Sequence, residues 1–243
     1  MTDETPLSIP ATGGPQRDTL KEHCSTELKL ALMAGRFTPG DQVTVRALAD
    51  QLKFTIMPMR EAVQRMVLAG ALINLPNGRV SIPKPTRAEF LELIDIRQRL
   101  EPIACERATK HVTDQDLEQI AACQRDLVQA IANSALEESI LCNLKFYFSI
   151  YKAAQSPHLS DLIEMVWLRF GAMIPQPVVL IYRWSSPRGQ TEYVANQMKN
   201  HEALLGALQT RDTIAANRVM NRIITMNEEF CLRTFPFDDA AKE

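Results

Sequence analysis

The stretch from Thr44 to Gly70, TVRALADQLKFTIMPMREAVQRMVLAG, constrains the fold of this chain more than any other. Thr44 can cap a short helix in which Val45, Leu48, Ala49 and Leu52 recur at helical spacing. Lys53-Phe54-Thr55 then makes a turn, and a second helix presents Met59, Ala62, Val63, Met66 and Val67 on one face until Gly70 stops it. Two short helices joined this tightly either set a recognition helix into a DNA major groove or pack as an ordinary helical hairpin in a core. The spacing alone is compatible with both.

The flanks complete the unit. Arg17 to Ala34 reads as an amphipathic helix through Leu20, Cys24, Leu28 and Ala31/Leu32, ending at Gly35, and Pro39-Gly40-Asp41 is a turn. Beyond Gly70, the runs Leu72–Leu75 and Arg79–Ile82 flank Pro76-Asn77-Gly78, where Asn-Gly signals a hairpin because both residues tolerate positive φ. Three helices closed by a hairpin make a winged helix, expected over residues 17–83. Charge agrees with this division: residues 17–85 hold 10 Lys/Arg against 6 Asp/Glu, whereas 86–243 hold 17 against 21. A basic head on an acidic body suits polyanion binding by the head alone.

Residues 1–16 carry no periodic apolar pattern and read as a disordered arm. Pro83-Lys84-Pro85 ends the wing, and Thr86 with Glu89 opens the next element as a capping box, which sets a domain boundary at 84. From there to 235, amphipathic segments follow one another at about 87–110, 114–133, 135–155, 158–174, 188–209 and 211–235. They predict an antiparallel bundle of six or seven helices, with 236–243 left as a tail. Pro102 falls inside the first segment and should kink it or remove one hydrogen bond. The Pro-rich stretch PQPVVLIYRWSSPRG, residues 175–189, is either a broken helix or an ordered loop, and its Tyr182 and Trp184 could cover a pocket. The fold class is therefore mainly α: an N-terminal winged helix-turn-helix followed by an all-helical bundle.

Composition excludes several alternatives. No run of about 18 apolar residues suggests a membrane span, and the acidic, polar start lacks the pattern of a signal peptide, so a cytoplasmic location is expected. The five cysteines are scattered without a C-x-x-C pair, which suggests neither a disulfide framework nor a cysteine zinc site. No P-loop, G-x-G-x-x-G, nucleophile elbow or His-Glu-x-x-His occurs, and nothing points to an enzyme.

The run GRFTPGDQVTVRALADQL followed by PMREAVQRMVLAGALINLPNGRV resembles the N-terminal domain of GntR-type bacterial transcription regulators. The likeness covers about 65 residues and joins a Pro-Gly turn, a Leu-Ala pair, Pro-aliphatic-Arg-Glu-Ala and a Gly before the wing. It implies DNA contacts from Arg46, Thr55, Met57, Arg60, Gly78 and Arg79, with arginines meeting phosphates or base edges and Gly78 letting the wing approach the backbone. One position departs from the family pattern of Ser, a basic residue and Thr before Pro: here the run is Thr55, Ile56, Met57, Pro58. An aliphatic side chain there could touch a thymine methyl, which would change sequence preference and not abolish binding.

The second half resembles the ligand-sensing FCD domain of the FadR subgroup. Ile96-Arg97 with Leu100-Glu101, Phe146 within NLKFY, and HEALLGALQTRDTIAANRVM from His201 to Met220 carry the likeness. Many such domains hold a divalent metal with an Asp and a His four residues apart, a third His, and a fourth about 22 residues later. The corresponding positions here are Asn143, Tyr147, His201 and Ile223, so one ligand survives and no tight metal site or other cofactor is expected, with weak binding at His201 left open. What remains suggests an effector pocket for a small organic acid. Arg97 would meet its carboxylate, with His201, Asn143 and Tyr147 as hydrogen-bonding partners. The competing expectation for Arg97 is an intrahelical pair with Glu101, and for His201 a structural role.

Together the two halves imply a ligand-responsive regulator acting as a repressor: a homodimer on a pseudo-palindromic operator in double-stranded DNA, with no membrane partner. The alternatives are a helical binding protein or enzyme with a vestigial winged helix, and a DNA-binding protein that has no effector.

Overall fold

The computed structural model describes the backbone of residues 15–171 and 187–238, and side chains within 19–171 and 192–238. The chain runs α1 (Pro15–Met33), β1 (Gln42–Val43), α2 (Val45–Leu52), α3 (Ile56–Leu68), β2 (Ile73–Asn74) and β3 (Val80–Ser81). It continues with α4 (Arg87–His111), α5 (Asp114–Ala132), α6 (Leu136–Ala153), α7 (Pro157–Phe170), α8 (Pro187–Gln209) and α9 (Thr213–Thr234). Most of the arm expected over 1–16, the 175–186 part of the Pro-rich stretch with Tyr182 and Trp184, and the last residues of the tail lie outside the described residues, while 187–189 open α8.

In the N-terminal unit, the Thr44 side chain accepts from Ala47 N and caps α2, satisfying one of the donors that a helix start leaves open. Lys53 ends α2 in the left-handed region at φ 59°, and Phe54 N returns to Ala49 O, so the turn into α3 is held by backbone bonds. Leu48 and Ala49 of α2 and Met59, Ala62, Val63 and Met66 of α3 are buried, packed with Cys24, Leu28, Ala31 and Leu32 of α1. Pro58 fits because it lies in the first turn of α3, where its missing N–H has no intrahelical partner to lose. The wing is a three-stranded antiparallel sheet in the order β1-β3-β2, with Gln42 and Ile73 both opposite Ser81. The sequence pattern gave no hint of β1, a two-residue strand too short to show alternation. In the wing turn Gly78 alone takes positive φ, 76°; Asn77 instead accepts from Arg79 N through its side chain at 3.1 Å.

The second unit contains six described helices. Both elements of the Thr86–Glu89 capping box form at the start of α4, and Thr113 with Asp116 repeats the arrangement on α5. Pro102 does not end α4, which continues to His111. Phe237, expected in a tail, packs against Phe90 and Phe235, while Asp238 N donates to Pro85 O, so the chain end returns to the junction of the two units.

Helix α7 joins the halves. Its Glu164 pairs with Lys29 of α1, and Arg169 Nε donates to Ala69 O at 3.1 Å, just past the end of α3. Gly171 closes against α1 so tightly that a Cβ there would lie 2.5 Å from Met33 Cα. A second ion pair, Arg36 with Glu137, ties the loop after α1 to the first turn of α6.

Candidate functional site

Two surfaces carry chemistry. The first lies on the winged helix. Arg46, Thr55, Met57, Arg60, Gly78 and Arg79 are all exposed. Among the described residues, Arg46, Arg60 and Arg79 have no ion pair, so their guanidinium groups remain available to phosphates and base edges. Glu61, the acid next to Arg60, is instead held by Lys21 at 3.0 Å. Thr55 precedes α3 without a side-chain cap bond, so its hydroxyl is uncommitted. The first turn of α3 presents Ile56, 45% exposed, and Met57, 68% exposed, where apolar side chains this large are ordinarily covered.

The second is a cavity of about 90 Å³ inside the helical unit, room for a handful of waters or one small molecule. Leu127, Ile140, Trp167, Phe170, Val194 and Met198 supply its apolar wall, and Ser139, Asn143, Tyr193, Gln197 and Asn227 its polar one. Tyr193 donates to Asn227 Oδ1 at 2.9 Å. Asn143 on α6 and Gln197 on α8 thus face the same space. Gln197 escaped the sequence reading, although it sits four residues before His201 and therefore on the same helix face. Trp167 and Phe170 left no such signal, because nothing in the spacing of α7 says which side chains border a void.

Below the cavity lies a buried polar cluster. Tyr147 and His201 Nε2 are 2.8 Å apart, Gln197 Nε2 donates to the Tyr147 hydroxyl at 2.8 Å, and His201 stacks on Phe146 with centroids 4.2 Å apart. Burial disfavours the charged imidazole and lowers the His201 pKa to about 3, so the ring is neutral at physiological pH. Burial also raises the Tyr147 phenol well above its ordinary value. Two of the four positions that resemble a metal site, Tyr147 and His201, thus meet as a hydrogen-bonded neutral pair, while Asn143 faces the cavity. Their donors do not fit a divalent ion: one imidazole facing a phenol that keeps its proton, an amide, and Ile223, an apolar side chain with no donor. Among the described residues no group of three His, Cys, Asp or Glu side chains could hold a metal.

Arg97 requires a correction. Expected to offer its charge to a ligand carboxylate, it spends that charge inside α4: Nε meets Glu101 Oε1 at 2.5 Å and Nη2 meets Oε2 at 3.2 Å, both side chains 1% exposed. Glu101 also accepts from Tyr151 at 2.8 Å and from Trp167 Nε1 at 2.9 Å, so four donors converge on one carboxylate. Desolvation alone would lower the Arg97 pKa; the charge and hydrogen bonds of Glu101 outweigh it and raise it. The guanidinium carbon lies 4.3 and 4.7 Å from the Phe170 and Trp167 rings, and its Nη1 is buried without a partner. Of the four expected effector residues only Asn143 lines the cavity; Arg97, Tyr147 and His201 do not.

Comparison with known proteins recognises both units of the chain. The description "Bacterial regulatory proteins, gntR family" matches residues 20–82, and the FCD domain matches residues 92–226. The HTH-type transcriptional regulator McbR of Escherichia coli is 29% identical over 219 residues, 90% of this chain and 96% of that protein. The solved structure of E. coli McbR/YncC superposes with a TM-score of 0.78 at 28% identity, covering 88% of this chain and 97% of that one. A putative GntR regulator from Rhodococcus sp. RHA1 shares the fold with a TM-score of 0.66 at 17% identity, over 90% of this chain and all of that one. No described helix is long and apolar enough to cross a membrane. The FCD match spans more than half of the sequence and follows a GntR-type winged helix in the same order, so the chain belongs to the GntR family of bacterial regulatory proteins, as a DNA-binding transcriptional regulator with an FCD domain and not an enzyme.

Proposed function

We propose that this regulator is a repressor whose grip on its operator is controlled by a small molecule in the helical cavity. One observation carries the reading: α7 borders the cavity and holds the recognition helix with the same turn. Trp167 and Phe170 line the void, while Arg169 between them donates to Ala69 O at the end of α3, and Gly171 abuts Met33 of α1. An occupant that moves the two aromatic side chains moves α7, and the rigid contacts on its other face pass the motion to α1 and α3. Arg46, Thr55, Met57, Arg60, Gly78 and Arg79 form the DNA surface in this reading. Asn143 and Gln197 form the polar wall of the pocket in this reading, Tyr147 and His201 hold Gln197 from behind, and no metal takes part.

Two copies acting about a two-fold axis present two recognition helices symmetrically, so the operator is a pseudo-palindrome. The test is DNase footprinting and gel shift on the DNA upstream of its own gene, comparing wild type with Arg169→Ala. The expected result is a two-fold footprint with wild type, and changed operator affinity in the variant, by a factor in the range that corresponds to about 0.5–2 kcal/mol of coupling. No sequence-preferring binding at moderate salt would sink the operator reading, and a single asymmetric half-site would sink the dimer. Unchanged affinity in Arg169→Ala would remove α7 as the link. Repression is checked by deleting the gene and following a reporter driven by the footprinted DNA, which should rise.

A further inference from the structure

The chemistry of the cavity says what class of molecule it takes, an inference that rests on its being the effector pocket. We propose that the occupant is uncharged, mostly apolar and bound without a metal ion, and that its polar end donates a hydrogen bond to Gln197.

Charge comes first. Among the described residues, no lining side chain is ionic. Arg97 and Glu101, off the lining, pair with each other, and the carboxylate is also met by Tyr151 and Trp167. An anion entering the cavity loses its hydration and finds no uncommitted counter-charge among the described lining residues. Asn143, Tyr147 and His201 offer a single imidazole and no carboxylate or thiolate, too weak a donor set to hold a cation between ligand and protein.

Hydrogen-bonding direction comes next. The Gln197 amide nitrogen points to Tyr147 at 2.8 Å and to His201 Nε2 at 3.2 Å, which turns its carbonyl oxygen the other way. That Oε1 is buried and has no partner. A buried acceptor without a donor is costly to the empty protein, and a ligand N–H or O–H relieves it. The walls of Trp167, Phe170, Ile140 and Leu127 take the rest of the molecule by apolar contact. The void, about 90 Å³, suits a small molecule.

The test uses isosteric pairs that differ in charge and donor alone: butyramide against butyrate, and isobutyramide against isobutyrate. Each is offered at millimolar concentration to the full-length protein, and binding is read by saturation-transfer NMR. The amides should bind about tenfold or more tightly than the carboxylates, and equally well with chelator or added zinc. Ile140→Trp, which fills the cavity, should abolish the transfer; Val194→Phe replaces it if circular dichroism shows that it does not fold. Gln197→Leu should bring the amide-to-carboxylate ratio towards one, an effect that a purely structural role for Gln197 would not produce. Carboxylates binding as well as the amides, a requirement for zinc, or no amide transfer at all would each overturn the proposal. Carboxylate binding that disappears on filling the cavity would leave the effector pocket standing with the wrong ligand class. Binding that survives filling would remove the pocket itself.

Discussion

Helix α4 contains two arginine-carboxylate pairs at the same spacing, and they have opposite fates. Asp95 and Arg99 meet in bidentate fashion at 3.0 and 3.1 Å on an exposed face. Arg97 and Glu101, two residues further on, form the same fork with both side chains 1% exposed, roofed by Trp167 and Phe170. Water and salt screen the first pair, which holds little that the unfolded chain lacks. The second pair is desolvated: its attraction is unscreened, but so is the cost of leaving either partner alone. The same contrast divides the whole protein. The exposed arginines of the winged helix, Arg46, Arg60 and Arg79, face solvent without an ion pair among the described residues, whereas in the helical half Arg97 is paired internally and the described cavity lining is neutral.

Breaking the buried pair should produce the largest effect. Glu101→Ala strands the Arg97 guanidinium among aromatic rings and removes the acceptor for Tyr151 and Trp167, for an expected loss of about 3–5 kcal/mol in urea unfolding. Removing both charges, as Arg97→Met with Glu101→Leu, should recover the part of that loss due to the stranded guanidinium, while Tyr151 and Trp167 still lack their acceptor. A single-mutant loss as small as that of Asp95→Ala would mean that the cluster is open to water.

Acid should separate the two halves next. The neutral His201 ring, with its pKa lowered to about 3 by burial, takes up no proton in the folded protein at mildly acid pH. The unfolded chain protonates it near the ordinary value of 6.5. Between those two values the unfolded state holds the extra proton, so stability falls as pH falls, by about 1.4 kcal/mol per unit; above that window the residue adds no pH dependence. Urea titrations at neutral pH and one unit below 6.5 should show the fall in wild type, and a shallower one in His201→Gln. Equal slopes would mean that His201 reaches solvent.

The two regions were not equally legible in the sequence. Thr44, Lys53-Phe54-Thr55 and the apolar spacing of α2 and α3 act over a few residues, and the caps and turn formed as read. The helical segments of the second half could be located for the same reason. What could not be read is which face of each helix is covered. Asp95–Arg99 and Arg97–Glu101 look alike as text, and only the arrival of α7, some 60 residues later, decides which pair is desolvated. The void depends on the joint positions of α5, α6, α7, α8 and α9, so Gln197 and Trp167 gain their roles from tertiary contact. The carboxylate expectation for Arg97 failed at this point: the alternative pair with Glu101 was visible, but the burial that makes it permanent was not.

On the DNA side the expected effects are smaller and distinguish reading from holding. Arg60 stands on the exposed face of α3 one turn beyond Ile56, where a side chain reaches base edges. Arg60→Ala should weaken specific binding by on the order of 1–3 kcal/mol while barely changing affinity for unrelated DNA. Equal losses on both DNAs would reassign Arg60 to the phosphates.

Arg79 should show the opposite pattern, and the least in stability. It sits beside Gly78 at the exposed tip of the wing, its backbone N–H held by the Asn77 side chain and its guanidinium free of any ion pair among the described residues. Gly78, at φ 76°, lets the turn project with nothing packed against it. A cation in that position meets a phosphate and displaces one counterion, so it contributes to every sequence alike. Arg79→Ala should therefore lower affinity for operator and unrelated DNA by the same factor, leave unfolding unchanged, and flatten the plot of log K against log salt by roughly 0.9. Fluorescence anisotropy across a salt series on both DNAs measures this directly. A loss confined to the operator, with the slope intact, would mean that the wing reads bases and that the surface available for recognition extends beyond α3.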